Sequence, residues 1–171
     1  MTQEGAGGAA SGLRAFTVRR GRAEDAAALA DVFHSAVHGL ASRHYTPEQI
    51  AAWCPEAPPP ELFRQRVCDG RKLWVAADKA DVAAAFIDLE ADGHIDMLFC
   101  HPRAAGQGVA AALYGQLEAA AQRQGLVQLY VNASEAARGF FERQGFAVER
   151  RREVERRGVT LHNYRMVKPL A

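Results

Sequence analysis

Cysteine is scarce in this chain of 171 residues, and it is not clustered. Cys54, Cys68 and Cys100 contain no Cys-x-x-Cys pair. That rules out a zinc knuckle and a thioredoxin-like redox motif. An odd, scattered set suits a reducing compartment, so a cytoplasmic location is expected, with each cysteine a small buried hydrophobe. Long apolar runs are missing too: no window approaches the roughly 20 residues that cross a bilayer, so no membrane partner is expected. Met1 to Gly12 is small and polar, without a basic stretch ahead of an apolar block, so no export signal is expected. Residues 1–13 read as a flexible tail. Charge of one sign is also lacking. Lys and Arg number 21 against 20 Asp and Glu, a formal net charge of +1. A generic nucleic-acid or membrane-surface binder normally carries a basic excess, so nucleic acid is not the expected partner. No Gly-Lys-Ser/Thr is present, which excludes a P-loop.

What is present is a core. The chain is 49% hydrophobic, too apolar to be wholly disordered, and its length fits one domain over residues 14–171. Phe16 to Arg20 alternates as a short strand. Ala23 to Leu40 places Ala26, Leu29, Val32, Phe33, Ala36, Val37 and Leu40 at helical spacing. Thr46-Pro47-Glu48-Gln49 opens a second helix, with Thr46 as N-cap, Pro47 at the first helical position and Gln49 closing a capping box. Pro58-Pro59-Pro60 stiffens a connector before a third helix, Glu61 to Cys68. Leu73–Ala77 and Val82–Glu90 predict two strands around a turn at Asp78–Asp81, followed by a strand from His94 to Cys100. A long helix, Val109 to Arg123, ends at Gly125. Leu126–Val131 reads as a strand, Ser134 caps a helix through Gln144, and Phe146–Val154 and Val159–Val167 form a closing hairpin at Gly158. The order predicts an α+β fold: one mixed, mostly antiparallel central sheet flanked by helices.

The most informative segment runs from Ile95 to Ala110. A strand ends at His101-Pro102, and Ala105-Gly106-Gln107-Gly108-Val109-Ala110 then turns into a helix. The first-turn amides of a helix have no internal partners and carry the positive end of its dipole. Glycines let an anion approach that backbone, so the turn can cradle a phosphate. Gly106 to Ala111 also matches a dinucleotide fingerprint. That fingerprint needs an acidic residue about 20 positions on, where this chain has Tyr130-Val131-Asn132-Ala133, so the reading is rejected.

Together, the strand, His-Pro, glycine turn, apolar helix and later Gly145-Phe146 resemble the GNAT superfamily of acetyl-CoA-dependent N-acyltransferases. Its turn pattern is Arg/Gln-x-x-Gly-x-Gly/Ala. Gly108 and Ala110 fit the last two positions. Ala105 departs from the first, and Arg103 is the neighbour able to supply the missing side chain. Ser134, Ala137, Phe140, Gly145 and Phe146 match a second motif, with Phe141 where tyrosine is usual. The resemblance extends over about residues 16–170. The stretch His44 to Gln49 with Trp53 is similar to a bacterial subgroup of the superfamily.

The resemblance implies an enzyme that moves an acetyl group from acetyl-CoA directly to a primary amine of a small molecule or protein. It implies that the backbone of Leu98, Phe99 and Cys100 holds the pantetheine arm beside a strand bulge, that Ala105, Gly106, Gln107, Gly108, Val109 and Ala110 hold the pyrophosphate, and that Ser134 lies near the cofactor. Phe141 has no proton to give the leaving thiolate; Ser134, Tyr130, Tyr164 or a water are the substitutes. Asp96 or Glu90 is the expected base, and His94 and His162 titrate in the useful range. Tyr45, Trp53 and His162 are expected at the acceptor pocket. His34 and His38 share a helical face without a third ligand, so no metal is expected. Glu149 to Gly158, dense in arginine, reads as a solvated hairpin with cross-strand ion pairs, the alternative being a contact for an acidic substrate, a nucleic acid or a second subunit. The alternatives are an acyl-CoA-binding protein that has lost catalysis and an acetylating toxin acting on aminoacylated RNA. A homodimer through the last strands is also implied.

Overall fold

The computed structural model describes residues 15–171; the expected tail, 1–13, lies outside the described residues. The α+β layout and the largely antiparallel strands stand as predicted, but the sheet is divided into two four-stranded ladders. In the first, β1 (Thr17–Arg20), β2 (Lys72–Ala77), β3 (Ala83–Leu89) and β5 (Leu98–Cys100) are neighbours in that order, all antiparallel. The second runs β4 (His94–Ile95), β6 (Gln128–Ala133), β8 (Val159–Pro169), β7 (Ala147–Arg156), and only its β4–β6 pair is parallel.

The division falls inside the segment His94–Cys100, which alternation predicts as one strand. His94 and Ile95 pair with β6, Leu98 to Cys100 pair with β3, and Asp96-Met97 belongs to neither. The cause is a buried side chain. Asp88, on β3 and fully buried, accepts the amides of Asp96 at 3.1 Å and Met97 at 2.9 Å through Oδ1. A carboxylate thus replaces the ladder partners that these amides have lost. The β3–β4 turn closes through Glu90 N–H to His94 O, 2.8 Å, and requires glycine at 93. Gly93 has φ +94°, and a Cβ there would meet the Gln128 carbonyl oxygen at 2.3 Å.

Among the described residues, five α-helices flank the strands: α1 (Ala26–Gly39), α2 (Pro47–Trp53), α3 (Pro60–Cys68), α4 (Val109–Arg123) and α5 (Glu135–Arg143). The first helix is shorter than periodicity predicts because Ala23–Asp25 forms a separate 3-10 turn. Leu113, Leu117 and Ala121 of α4 pack under β3 and β6 with Leu89, Ile95 and Leu129. Burying such a leucine stabilises the fold by about 1.5–3 kcal/mol. Ala26, Leu29 and Val32 of α1 and Phe63 of α3 cover the opposite face. A third cluster joins α2 to the end of β8 through Tyr45, Ile50 and Leu161. The expected capping box at Thr46 is formed: Gln49 N–H donates to Thr46 Oγ1, 3.2 Å, and Thr46 N–H to Gln49 Oε1, 3.0 Å. The strand expected from Leu126 starts at Gln128 instead. Leu126 is used to close the end of α4, its amide reaching back to Ala121 O, 3.1 Å.

Candidate active site

Where the ladders part, a cavity of about 460 Å³ opens. Asp96, Met97, Leu98 and Phe99 line it from the parting, and Val131 to Ser134 line it from the end of β6. Ala137 and Phe141 of α5, Phe33 of α1 and Trp53 of α2 add apolar walls. Both strands leave free edges here. β5 pairs only with β3, and Asn132 and Ala133 extend past the last residue of β4. Such an edge offers backbone donors and acceptors to an extended ligand.

Beyond β5, residues Pro102–Ala104 form a 3-10 turn, and Ala105 to Gly108 lead into α4. Gly106 and Gly108 have φ of +72° and +77°, a left-handed geometry that favours glycine. The first helical bond is Ala112 N–H to Gly108 O, 3.1 Å. Among the described residues the amides of 106–111 donate to no protein acceptor, and they lie at a helix N-terminus, where an anion is favoured. None of Ala105 to Ala110 lines the cavity itself; β5 connects the two places. The Gln107 side chain donates to the Arg103 carbonyl, 2.9 Å. Arg103, the neighbour expected to supply the side chain missing at Ala105, is bonded through its guanidinium to Asp78 at 2.9 Å, on the β2–β3 turn. Cys100 is not part of the cavity wall, and burial pushes its thiol up to about 11.

The structure brings Tyr45, Trp53, His162, Asp96, Leu98, Phe99 and Ser134 to one cavity. Tyr45 fastens three elements: its hydroxyl donates to His162 O, 2.9 Å, and accepts from Glu135 N–H, 2.8 Å. Ser134 Oγ accepts from Ala137 N–H at 3.2 Å, as the N-cap of α5, which leaves its proton free to donate. Phe141 is buried at the cavity wall. Of the three side chains able to replace a tyrosine acid there, only Ser134 reaches the cavity. Tyr130 is hydrogen-bonded to the Asp92 carboxylate, which pushes its hydroxyl up to about 12. Tyr164 lies under the Arg138 guanidinium, 4.4 Å from the ring centre.

The acid–base candidates separate clearly. Asp96 reaches the cavity, but its carboxyl is hydrogen-bonded to Arg66, with Arg71 at 3.5 Å. Burial opposes ionisation, yet these guanidinium groups hold the carboxyl below its ordinary range, which makes it a weak proton acceptor. Glu90 is outside the cavity wall, paired with Arg71 at 3.4 Å and His94 at 3.2 Å. Asp88 is the residue that the sequence pattern misses. It joins Arg66 at 2.8 Å and Arg71 at 2.9 Å while holding the parting open. His162 Nε2 meets Glu135 Oε2 at 2.6 Å. Burial works against the Glu135 carboxylate, but hydrogen bonds from His162 and Tyr164 keep its carboxyl below the ordinary range. The His162–Glu135 contact also escapes sequence reading, because its partners lie 27 positions apart. His38 Nε2 is bonded to Cys54 O at 2.7 Å, and no group of three or more metal-ligating side chains occurs among the described residues.

The chain matches the acetyltransferase (GNAT) domain over residues 41–168. It is 36% identical over 138 residues to the uncharacterized N-acetyltransferase YafP of Escherichia coli K12, covering 81% of this chain and 85% of that protein. A GCN5-related N-acetyltransferase from Rhodopseudomonas palustris superposes with a TM-score of 0.83 at 33% identity, over 91% of this chain and 96% of that one. YncA of Salmonella typhimurium, solved with its cofactor acetyl-CoA, shares the fold, with a TM-score of 0.70 at 17% identity over 91% and 94% of the two chains. The chain belongs to the GNAT family and is an N-acetyltransferase.

Proposed function

We propose that the protein transfers an acetyl group from acetyl-CoA to a primary amine. The observation that carries this reading is the parting of β4 from β5, with a free strand edge along a cavity and an amide cradle at the far end of that edge. These residues fit coenzyme A. The edge of Leu98 to Cys100 can pair with the amides of the pantetheine arm, and the amides of Gly106 to Ala110 can receive the pyrophosphate, with Ala105 contributing backbone only.

Acetyl-CoA supplies an activated thioester. His162 takes the proton of the attacking amine: with Nε2 bonded to Glu135, its Nδ1 is the acceptor, and Glu135 positions the ring. Asp96, ionised by its arginine partners, orients the amine rather than accepting its proton. Glu90 supports Arg71 from outside the cavity. Ser134 donates a hydrogen bond to the departing thiolate, whose proton comes from the one His162 has taken off the amine. Thiols titrate near 8 to 9, so coenzyme A is a tolerable leaving group even where Phe141 replaces an acid. Tyr45 and Trp53 shape the acceptor side.

Phe141 also favours a second reading, an acyl-CoA-binding protein without turnover. Release of free thiol from acetyl-CoA, dependent on an added amine, separates the two. His162→Gln is expected to lower kcat by about 100-fold, the usual worth of a positioned general base. Asp96→Ala is expected to raise KM for the amine more than it lowers kcat. An unchanged kcat in His162→Gln with a large loss in Asp96→Ala would return the base to Asp96.

A further inference from the structure

The arginines of β7 are sorted by face. Strand alternation places Arg150, Arg152, Val154 and Arg156 on one side and Arg151, Glu153 and Glu155 on the other. The first side faces the cavity, whose wall includes Arg152, Val154 and Arg156. The cross-strand ion pairs expected of a solvated hairpin are not made there. The residues opposite Arg152 and Arg156 are Asn163 and Val159, neither of them charged. Among the described residues, Arg152 and Arg156 have no ion pair or side-chain hydrogen bond, whereas Arg151 meets Glu153 at 3.5 Å and Arg165 meets Glu149 at 3.6 Å. The acids of this hairpin thus serve its outer face and its bulge and leave the cavity cations unneutralised.

The same floor holds unfilled acceptors. Asn163 and Asn132 both line the cavity, and the Oδ1 of each is buried without a hydrogen-bond partner. In ladder order the floor runs from Asn132 on β6, beside the parting, through Asn163 on β8 to Arg152 on β7. Acceptors therefore lie nearest the site of transfer and free cations farthest from it. A buried acceptor without a donor is unfavourable, and a bound N–H group removes that cost.

Resting on the acetyl-transfer reading, we infer that the acceptor is a primary amine carrying an anionic group in the same molecule. The anion lies on Arg152 with Arg156 at the mouth, and the amine lies toward Asn132 and Asp96. A guanidinium fork binds carboxylates and phosphonates alike, and either group meets the requirement. Phe33, Trp53 and Phe99 give the remaining body of such a molecule an apolar wall.

The test compares matched amines at saturating acetyl-CoA, using the full chain and free-thiol release. L-phenylalanine is set against phenethylamine, and 2-aminoethylphosphonate against propylamine; the two pairs distinguish a carboxylate from a phosphonate. In at least one pair, the anionic member is expected to exceed its neutral partner in kcat/KM by about 30-fold or more, the lower worth of a desolvated charge pair. Arg152→Gln is expected to erase that preference through the KM of the anionic member, and to leave the melting shift caused by acetyl-CoA unchanged. Equal or better use of the neutral members overturns the inference, as does acetylation of none of the four by a protein that binds acetyl-CoA. An equal loss for both members in Arg152→Gln also overturns it. Absence of any acetyl-CoA melting shift overturns the donor reading as well.

Discussion

Two regions of the molecule handle charge in opposite ways. Behind the parting, Asp88, Asp96, Asp69 and Glu90 are interlocked with Arg66 and Arg71, and Asp88 is fully buried. In front of it, Arg152 and Arg156 face the same cavity without a carboxylate. The first arrangement builds the site: its acids satisfy the bulge amides and its arginines neutralise the acids. The second is uncommitted and has its charge available for a ligand. One side of a cavity spends its charge on the fold and the other keeps it for binding, a division that net composition conceals.

The largest expected effect breaks the built side. Asp88→Ala leaves two bulge amides without their acceptor and takes the buried carboxylate away from Arg66 and Arg71, and is expected to cost about 3–5 kcal/mol in chemical denaturation. Arg152→Gln or Arg156→Gln is expected to change stability by less than about 0.5 kcal/mol, because neither side chain has a partner to lose. Equal losses on the two sides would erase the contrast. Next in size, Gly108→Asp puts a β-carbon at φ +77° and a negative charge into the amide cradle. Affinity for acetyl-CoA is expected to fall by at least about tenfold in calorimetric titration, since the new carboxylate repels the pyrophosphate and takes its place at the positive end of the helix dipole.

Acid titration sharpens the same contrast. Hydrogen bonds from Arg71 hold the Asp69 carboxyl below its ordinary range, and Arg66 does the same for Asp96 against the opposing effect of burial. Folded-state values below the unfolded ones give stability that is present above the unfolded pKa and lost as pH falls through the folded one. Stability is therefore expected to hold from neutrality to about pH 4 and to decline below it. Arg71→Met should flatten that decline, while Arg152→Gln should leave it alone. A smaller loss than at Asp88 is expected at α2: Thr46→Ala removes its cap and should cost about 1 kcal/mol.

Much of the scaffold is legible in the sequence because its causes are local. The capping box at Thr46, the glycine turn into α4, the Ser134 cap and the closing hairpin each rest on residues within a few positions of one another. The parting is not legible in the same way. Ala83 to Leu89 reads as one apolar strand, and the partners that explain Asp88 come from Arg66 and Arg71, 22 and 17 positions away. An aspartate next to the end of an otherwise apolar run was the available signal. The sorted arginines were readable by parity, since the even positions of 150–156 lack any acid. Which face met the cavity depended on the bulge near Glu149, which sequence does not announce. The His162–Glu135 contact depended on where α5 lands against β8.

A thermal melt with acetyl-CoA, coenzyme A and NADH, run side by side on the full chain, tests the central claim most directly. A ligand that binds only the folded state raises the melting temperature by mass action. The parted sheet and its amide cradle predict a rise with both coenzyme A species and none with NADH. No rise with acetyl-CoA or coenzyme A at millimolar concentration would contradict the assignment of this cavity to the acetyl donor.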